Sequence, residues 1–300
     1  MTTNPAVAAS AVAAERAEPR RRPKALRRFL RHKPALVGAV ILFAISLTAV
    51  FAGPLGRVSP VAIDLMSART GPSAAHPLGS DLVGRDVLSR LLHASRVSLV
   101  VGIGAVALYV TIGLILGALA GFYGGPVEIA ILRLADIVLS FPALILVLVI
   151  VALVGPSLTN IIVVIGLLGW PRVARLVRGE LLSLREREFV QAARAIGASD
   201  ARLMARHLLP NTVGVVLVAA TFGVANAILV EASLSFLGMG VQPPTPSWGN
   251  MLTDAQSLSA LESMPWLWLP PGIMIFLVII SINFLGDGLR DLFDPRSRPA

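Results

Sequence analysis

Six long apolar stretches, separated by short polar segments rich in arginine, dominate the pattern of this chain. A helix of roughly 20 apolar residues crosses about 30 Å of hydrocarbon. The stretches lack the strict apolar–polar alternation of membrane-barrel strands, and only a helix or a closed barrel satisfies its backbone in lipid. The pattern therefore predicts an all-α membrane protein with six transmembrane helices, at residues 35–53, 97–122, 137–154, 158–175, 212–232 and 266–285.

The fourth apolar stretch is short, because Pro171 and Arg172 follow it closely. It begins after Gly155-Pro156-Ser157, a sequence typical of a turn. Residues 137–175 are therefore predicted to form a helical hairpin. The composition agrees with a membrane protein, since 55% of the residues are hydrophobic and 14% are charged, against about 25% charged in soluble chains.

The distribution of basic residues predicts the orientation, because lysine and arginine near spans favour the cytoplasmic side. With the N-terminus inside, the outer segment 54–96 holds five basic residues and the outer loop 233–265 holds none. The other 21 of the 26 lie in inner segments, which are 1–34, 123–136, 171–211 and 286–300. Both termini are therefore predicted to be cytoplasmic.

The N-terminal segment 1–34 has an alanine-rich first half and a basic second half. We expect the first half to be disordered and the second to form a basic helix on the anionic inner leaflet. A cleaved signal peptide is the alternative. It is disfavoured because the apolar stretch begins late and no small-residue cleavage site follows it.

Several classes of chemistry are disfavoured by residues that the chain lacks. There is no cysteine, and the four histidines are scattered, so no metal site is expected. The only lysines, Lys24 and Lys33, do not follow a glycine, so the chain has no phosphate-binding loop. The net charge of +9 is not accompanied by interleaved aromatic residues, so nucleic acid is not expected as a partner. We therefore predict no enzyme activity and no cofactor in this chain.

Three glycines spaced by four residues mark the second predicted span, at Gly113, Gly117 and Gly121. Small residues at this spacing let two helices approach closely in lipid. Packing within the chain is the favoured interpretation, and a subunit interface is the alternative.

Ionisable residues near the spans are candidates for function. Glu231 is predicted either to line or gate a path or, as we favour, to pair at the interface with Arg85 or Arg90. Arg133 and Asp136 stand three residues apart, a spacing that permits an ion pair along one helix.

The polar segment 179–211 contains a helix–turn–helix pattern. Residues 188–196 form a helical pattern that Gly197 can end at positive φ, and Ser199 or Asp200 can cap the next helix. Pro210 is predicted to end that second helix before the fifth span. The segment is predicted to lie on the inner membrane surface, where it suits docking to a protein or, alternatively, is a simple interfacial helix.

The sequence Glu-Phe-Val-Gln-Ala-Ala-Arg-Ala-Ile-Gly at 188–197, followed by His-Leu-Leu-Pro-Asn at 207–211, resembles the EAA loop of ABC importer permeases. Gln191 departs from the pattern, since a glutamate is usual there, and this puts a charged contact at 191 in doubt. The runs 76–90 and 231–249 further resemble the peptide and nickel branch of that family. The resemblance covers roughly residues 25–295.

This resemblance implies a five-helix permease core within residues 97–285, preceded by an added N-terminal helix. It implies a second homologous permease, two ATPase domains on one or two chains that bind ATP and Mg, and an extracytoplasmic binding protein. It places the chain in the plasma (inner) membrane of a bacterium. The residues implied to couple the permease to its ATPase are Glu188, Ala192, Ala193, Gly197, Leu203, Met204, His207 and Pro210.

The substrate expected from the resemblance is a peptide, with nickel chelates or glutathione as alternatives. An ion-coupled secondary transporter is a weaker alternative, because it needs inverted repeats and midplane carboxylates. A membrane-anchored scaffold needs fewer spans than this. Trp248, in the stiff outer run 241–249, is expected at membrane level as part of an outer gate or docking face.

The predicted topology can be tested because the chain has no cysteine. Single cysteines at Ser157, Ser199 and Ser257 would be labelled in intact cells with an impermeant thiol reagent. We expect residues 157 and 257 to react from outside and 199 to react only after permeabilisation. Labelling of residue 199 in intact cells would contradict the model.

Overall fold

The computed structural model of the protein describes residues 32–293, and its regular secondary structure in that range is helical. The expectations for residues 1–31, and for 294–300 of the tail, lie outside the described residues. Helix α1 spans Lys33–Val50 and α2 spans Ala52–Leu55. The long helices that follow are α3 (Val87–Tyr123), α4 (Gly125–Leu139), α5 (Ala143–Val154) and α6 (Leu158–Arg185). The remaining helices are α7 (Glu188–Ala195), α8 (Asp200–Leu203), α9 (Leu209–Phe236), α10 (Trp248–Thr253), α11 (Leu258–Ser263) and α12 (Pro265–Phe293).

Five helical stretches are long and apolar enough to cross a membrane, and counting the bent pair α4 and α5 as one span gives six. The prediction of an all-α membrane protein is confirmed. The boundaries differ, however, because several helices extend beyond the apolar stretches. Helix α3 begins ten residues before the predicted start, where the Asp86 carboxylate accepts a hydrogen bond from the Ser89 N–H at 2.8 Å.

The predicted span at 137–154 is not one continuous helix. The chain bends by 85° between α4 and α5, and the three residues at the break are Ser140, Phe141 and Pro142. Proline disfavours a helical conformation in the residue before it, which accounts for the end of α4. Helix α5 has 12 residues and is about 18 Å long, so it is too short to cross the hydrocarbon alone.

Two prolines, Pro171 and Pro210, lie within helices, and a stop was predicted at the second of them. Helix α6 continues through Pro171 to Arg185. Pro210 lies in the first turn of α9, which joins α8 through a π-helical turn at Met204–Leu208. The whole range Asp200–Phe236 is one helical stretch. The predicted stop at Pro210 is therefore wrong. Proline has no backbone N–H to donate, and here that N–H is missing at the change from the wider π turn to the α-helix, so the helical stretch continues.

The centre of the fold is the contact between α3 and α6, made along the glycine face of α3. Added Cβ atoms at Gly113 and Gly117 would lie within 3 Å of Val173 and of Ala174 on α6. Gly121 faces Leu181 in the same way. The three glycines therefore pack against α6 inside this chain, in agreement with the favoured interpretation.

Helix α1 lies against α12 and α3 at one side of this central pair. A Cβ atom at Gly38 would lie 2.5 Å from the Ser281 carbonyl oxygen of α12. Arg96 of α3 donates hydrogen bonds to the last carbonyls of α1, at 3.1 Å to Ala49 and 3.0 Å to Val50. A guanidinium is well placed there, because the carboxyl end of a helix carries partial negative charge.

The glycine face gives a stability prediction with a control on the same helix. A methyl group at Gly117 would lie 2.5 Å from the Ala174 carbonyl oxygen, whereas one at Gly104 would lie 3.4 Å from the Ile162 side chain. We expect Gly117→Ala to destabilise the protein by about 1–3 kcal/mol, as overpacking does, and Gly104→Ala to have little effect. Thermal unfolding in detergent would measure both. Equal melting temperatures for the two variants would contradict the tight contact.

Candidate functional site

The segment between α6 and α9 folds as a helical hairpin, which we call the coupling hairpin (residues 186–208). Helix α7 ends in a Schellman motif: the Gly197 N–H donates to the Arg194 carbonyl at 3.0 Å, and the Ala198 N–H donates to the Ala193 carbonyl at 3.1 Å. Gly197 has φ of +82°, as the sequence predicted. Ser199 takes the N-cap position of α8, but its side chain makes no capping hydrogen bond.

The residues implied for coupling fall into three groups by exposure. Ala193 and Leu203 are buried, and Leu203 belongs to the same apolar core as α6. Met204 and His207 are partly buried. The exposed members of the set are Glu188, Ala192, Gly197 and Pro210. Leu203 and Ala193 therefore hold the hairpin on its own chain, and the exposed residues are the ones free to meet a partner.

Two exposed apolar residues of the hairpin were not singled out from the sequence. Phe189 is 44% exposed and Ile196 is 87% exposed, and they stand at the two ends of α7. Arg187, Glu188 and Arg194 are exposed around them. The sequence signal that could have identified Ile196 is its position directly before the turn residue Gly197. An apolar side chain at the tip of a charged hairpin is typical of a docking contact.

The hairpin is joined stiffly to two long helices. At one end, α6 reaches Arg185, whose guanidinium donates to the Gly121 carbonyl of α3 at 3.0 Å. At the other end, α8 and the π turn run directly into α9. A displacement of the hairpin would therefore move α6 and α9 without an intervening flexible linker.

The run 76–90 forms a compact cap at the beginning of α3. The Asp81 carboxylate accepts from Arg85 Nε at 2.5 Å and lies 3.6 Å from Arg90 Nε. His76 Nδ1 lies 2.9 Å from the Asp86 carboxylate, which also caps α3. The predicted pairing of Glu231 with Arg85 or Arg90 is therefore wrong, because Asp81 holds both guanidinium groups.

Glu231 lies fully buried on α9 and is held by serine hydroxyls. Ser235 Oγ donates to one carboxylate oxygen at 2.7 Å, and Ser98 Oγ on α3 donates to the other at 3.2 Å. The same hydroxyls accept backbone N–H groups of the outer loop, from Val241 at 3.1 Å and from Trp248 at 3.2 Å. Glu231 thus joins α3, α9 and the outer loop.

Trp248 is also fully buried, so its ring is not accessible for direct contact with another protein. Its ring belongs to a core cluster with residues of α3 and α12, and its indole N–H has no hydrogen-bond partner among the described residues. Beneath it, the Ser247 and Asn250 side chains cap α10 reciprocally. The loop after α9 is a folded layer that covers the N-terminal part of α3 and the C-terminal end of α9.

A cavity of about 650 Å³ lies beside the central pair. Its walls come from α3, α6, α9 and the break between α4 and α5. Its polar side chains are those of Tyr109, Arg172 and Asn226, and every other lining residue is apolar or glycine. A largely apolar cavity with a few polar groups is the usual form of a small-molecule site.

Ion pairs fasten α4 to α6 near the carboxyl end of α6. Asp136 pairs with Arg175, and Glu128 accepts from Arg178 Nε at 2.6 Å. The predicted pair between Arg133 and Asp136 is therefore wrong, since the α6 arginine lies closer to Asp136. Within residues 32–293 there is no group of His, Cys, Asp and Glu residues able to hold a metal ion.

The fold and the site define a polytopic helical membrane protein that has a rigid polar hairpin, a folded loop after α9 and a cavity between its long helices. Residues 113–299 match the model of the binding-protein-dependent transport system inner membrane component, and residues 24–72 match that of the N-terminal TM domain of oligopeptide transport permease C. The chain belongs to this family of ABC importer permeases, as the resemblance implied.

Named relatives cover nearly the whole chain. A putative peptide permease protein of Brucella ovis is 45% identical over 271 residues, which are 90% of this chain and 89% of the relative. The dipeptide transport system permease protein of Alkalihalophilus pseudofirmus is 41% identical, over 92% and 90% of the two chains. The glutathione transport system permease protein of Pectobacterium atrosepticum is 39% identical, over 90% and 89%.

The burial of Trp248 gives a prediction with a matched control. Trp248→Ala is expected to destabilise the protein by about 3–5 kcal/mol, because it leaves a large cavity in the core. Trp248→Phe should cost less than about 1.5 kcal/mol, since it keeps most of the volume and removes only an unbonded N–H. Thermal unfolding and the yield of assembled complex would report both. If Trp248→Ala assembled normally but lost uptake, Trp248 would act directly in the outer gate and not only in the core.

Proposed function

We propose that this chain is one of two permease subunits in a bacterial importer of peptides, and that it forms half of the translocation path. The names of its relatives, which refer to peptide, dipeptide and glutathione transport, favour a peptide over a nickel chelate. The cavity beside α3 is this chain's wall of the path in the proposal. The chain itself has no enzyme activity or cofactor, because ATP and Mg bind to the ATPase subunits.

The single observation that carries this proposal is the coupling hairpin. It combines a glycine-stopped turn, exposed apolar residues at its tip and stiff joints to α6 and α9. In the proposed mechanism, an ATPase subunit binds the exposed face that includes Glu188, Ala192 and Ile196. Nucleotide-driven closure of the ATPase pair then rocks α6 and α9 as rigid bodies, a recognised type of domain movement.

The proposed orientation places both termini and the hairpin in the cytoplasm of a multi-pass inner-membrane protein. The basic residues support this, because 21 of the 26 lie in the inner segments. The outer loop and the cap at 76–90 then face the extracytoplasmic binding protein. Two ATPase domains, on one chain or two, and a homologous second permease complete the complex.

Gly197 provides the test of this function. Open space surrounds it, so a side chain meets no atom within 4 Å, yet its φ of +82° is unfavourable for L-residues. A β-branched residue at positive φ costs on the order of 1–2 kcal/mol and would redirect α7 relative to α8. We expect Gly197→Val to abolish ATP-driven uptake of a labelled dipeptide by vesicles containing the whole complex. Gly197→Asn should retain it, because asparagine tolerates this conformation.

Uptake is normalised to assembled complex, and hydrolysis stimulated by loaded binding protein is measured in parallel. Glu188→Ala should have a milder effect than Gly197→Val, since it removes one exposed polar contact and keeps the helix. Near-normal uptake by Gly197→Val would remove the hairpin from coupling. Uptake driven by an ion gradient without ATP would refute the proposed importer class.

A further inference from the structure

The cavity beside the central helix pair contains a positive charge that has no partner. Arg172 makes no hydrogen bond or ion pair with any residue in the range 32–293. Its neighbours on α6 differ, since Arg175 pairs with Asp136 and Arg178 pairs with Glu128. Of these three arginines of α6, the one without an ion pair is therefore the one that lines the cavity.

The position of Arg172 makes this unpaired charge significant. It lies 14 residues after the start of α6, about 21 Å along the helix axis, near the inner end of the predicted span 158–175. Its side chain is exposed on the surface of this chain and lines the cavity. An exposed ionised group at the end of a span faces water or a polar protein cavity, because contact with lipid is costly.

The break in the neighbouring helix supports the same conclusion. Phe141 and Pro142 line the cavity and lie at the bend between α4 and α5. Non-helical backbone at membrane depth is tolerated where it is buried in protein or lines a water-filled cavity. The break therefore indicates that the cavity wall faces protein or water and not lipid.

Two further polar groups share the cavity with Arg172. Tyr109 projects from α3 into a gap left by Gly169 of α6 and Gly223 of α9, where added Cβ atoms would lie within 3 Å of it. Asn226 lies exposed on α9. Neither the Tyr109 hydroxyl nor the Asn226 amide is hydrogen-bonded within the described chain, so both are free to bind a ligand.

The side chains that line the cavity indicate the kind of ligand that would bind there. One guanidinium, one hydroxyl and one amide face a wall that is otherwise apolar, and no carboxylate lines the cavity. Such a surface complements a compact ligand with an anionic end and an apolar body. A guanidinium binds a carboxylate through two parallel hydrogen bonds, and the cavity volume of about 650 Å³ is in the range of small-molecule sites.

We propose that this cavity is a binding site for the carboxylate-bearing end of the transported peptide, with Arg172 as its charge partner and Tyr109 and Asn226 as hydrogen-bonding groups. The proposal rests on the proposed function, since it takes a peptide as the substrate. It assigns to this chain a selectivity for anionic groups inside the membrane, in addition to any selection made by the binding protein.

The first experiment measures the charge selectivity of the cavity. Ala219 lines the cavity on α9, and Ala219→Cys would be the sole cysteine of this chain. The whole complex, with cysteine-free partner subunits and without binding protein, is labelled in lipid nanodiscs with anionic or cationic methanethiosulfonate reagents. Each rate is normalised to that of a small free thiol. We expect the anionic reagent to be favoured by about ten-fold, the lower end of the effect of a charged cleft.

The control variants separate Arg172 from the general charge of the protein. Arg172→Gln should abolish the preference for the anionic reagent, and Arg172→Lys should retain most of it. Arg133→Gln removes an equally exposed arginine of α4 that does not line the cavity, and it should leave the preference unchanged. A preference that survives Arg172→Gln, or a cysteine inert to both reagents, would overturn the proposal.

The second experiment identifies the ligand by protection of the same cysteine. A dipeptide with a free carboxylate should slow labelling at about ten-fold lower concentration than its C-terminal amide, and Arg172→Gln should remove this difference. Equal protection by both peptides would overturn the proposal. Protection by an anionic lipid in the nanodisc, with no effect of dipeptide, would also overturn it and assign the cavity to lipid.

The outcomes distinguish this inference from the proposed function. If the complex takes up peptides with ATP but Arg172→Gln alters neither labelling nor protection, the binding site is refuted and the importer function stands. If uptake of peptides fails while Arg172 still favours the anionic reagent, the peptide function is refuted. Failure of dipeptide protection in that case would refute the assignment of the ligand as well.

Discussion

The close contact between α3 and α6 determines where every other functional feature of this protein lies. It exists because Gly113, Gly117 and Gly121 present no side chains to α6, so the two helices approach until backbone and side-chain atoms touch. Lipid tails are as apolar as the helix surfaces, so there is little hydrophobic driving force between helices in a membrane. Close packing of this kind is therefore a main source of helix association. The contact sets the cavity at its side, the hairpin at one end and the Glu231 network at the other.

The ionisable groups that surround the central helix pair occupy three kinds of environment, which are an ion pair, a buried site with hydroxyl donors, and the cavity. Glu231 is buried with two serine hydroxyls, and those hydroxyls accept backbone N–H groups of the outer loop. Asp136 and Glu128 neutralise arginines of α6. Arg172 differs from Arg175 and Arg178, because it has no ion pair among the described residues and lines the cavity. In our proposal this difference separates a functional charge from two structural ones.

Apolar length and arginine distribution were sufficient to predict the membrane class and the approximate spans, because the bilayer itself imposes those patterns. The turn at Gly197 was predictable for a local reason, since few residues adopt positive φ. Effects of tertiary packing were not predictable. Pro171 and Pro210 are accommodated within helices, Trp248 is covered by other segments, and Glu231 finds serines distant in sequence. No local pattern specifies those partners.

The two helices that meet the coupling hairpin also carry polar groups into the cavity, to which α3 adds Tyr109. Helix α6 places Arg172 in the cavity wall and ends beside α7, while α9 places Asn226 in the wall and continues from α8. A rocking motion of α6 against α9 would therefore change the distance between the guanidinium and the amide. In the proposed mechanism, closure of the ATPase pair alters the affinity of the cavity for a carboxylate through that distance. Binding and release of the substrate would then be coupled to hydrolysis without any contact between the substrate and the ATPase. Such coupling requires that the substrate bind the two states with different affinities, and the changed distance would supply that difference.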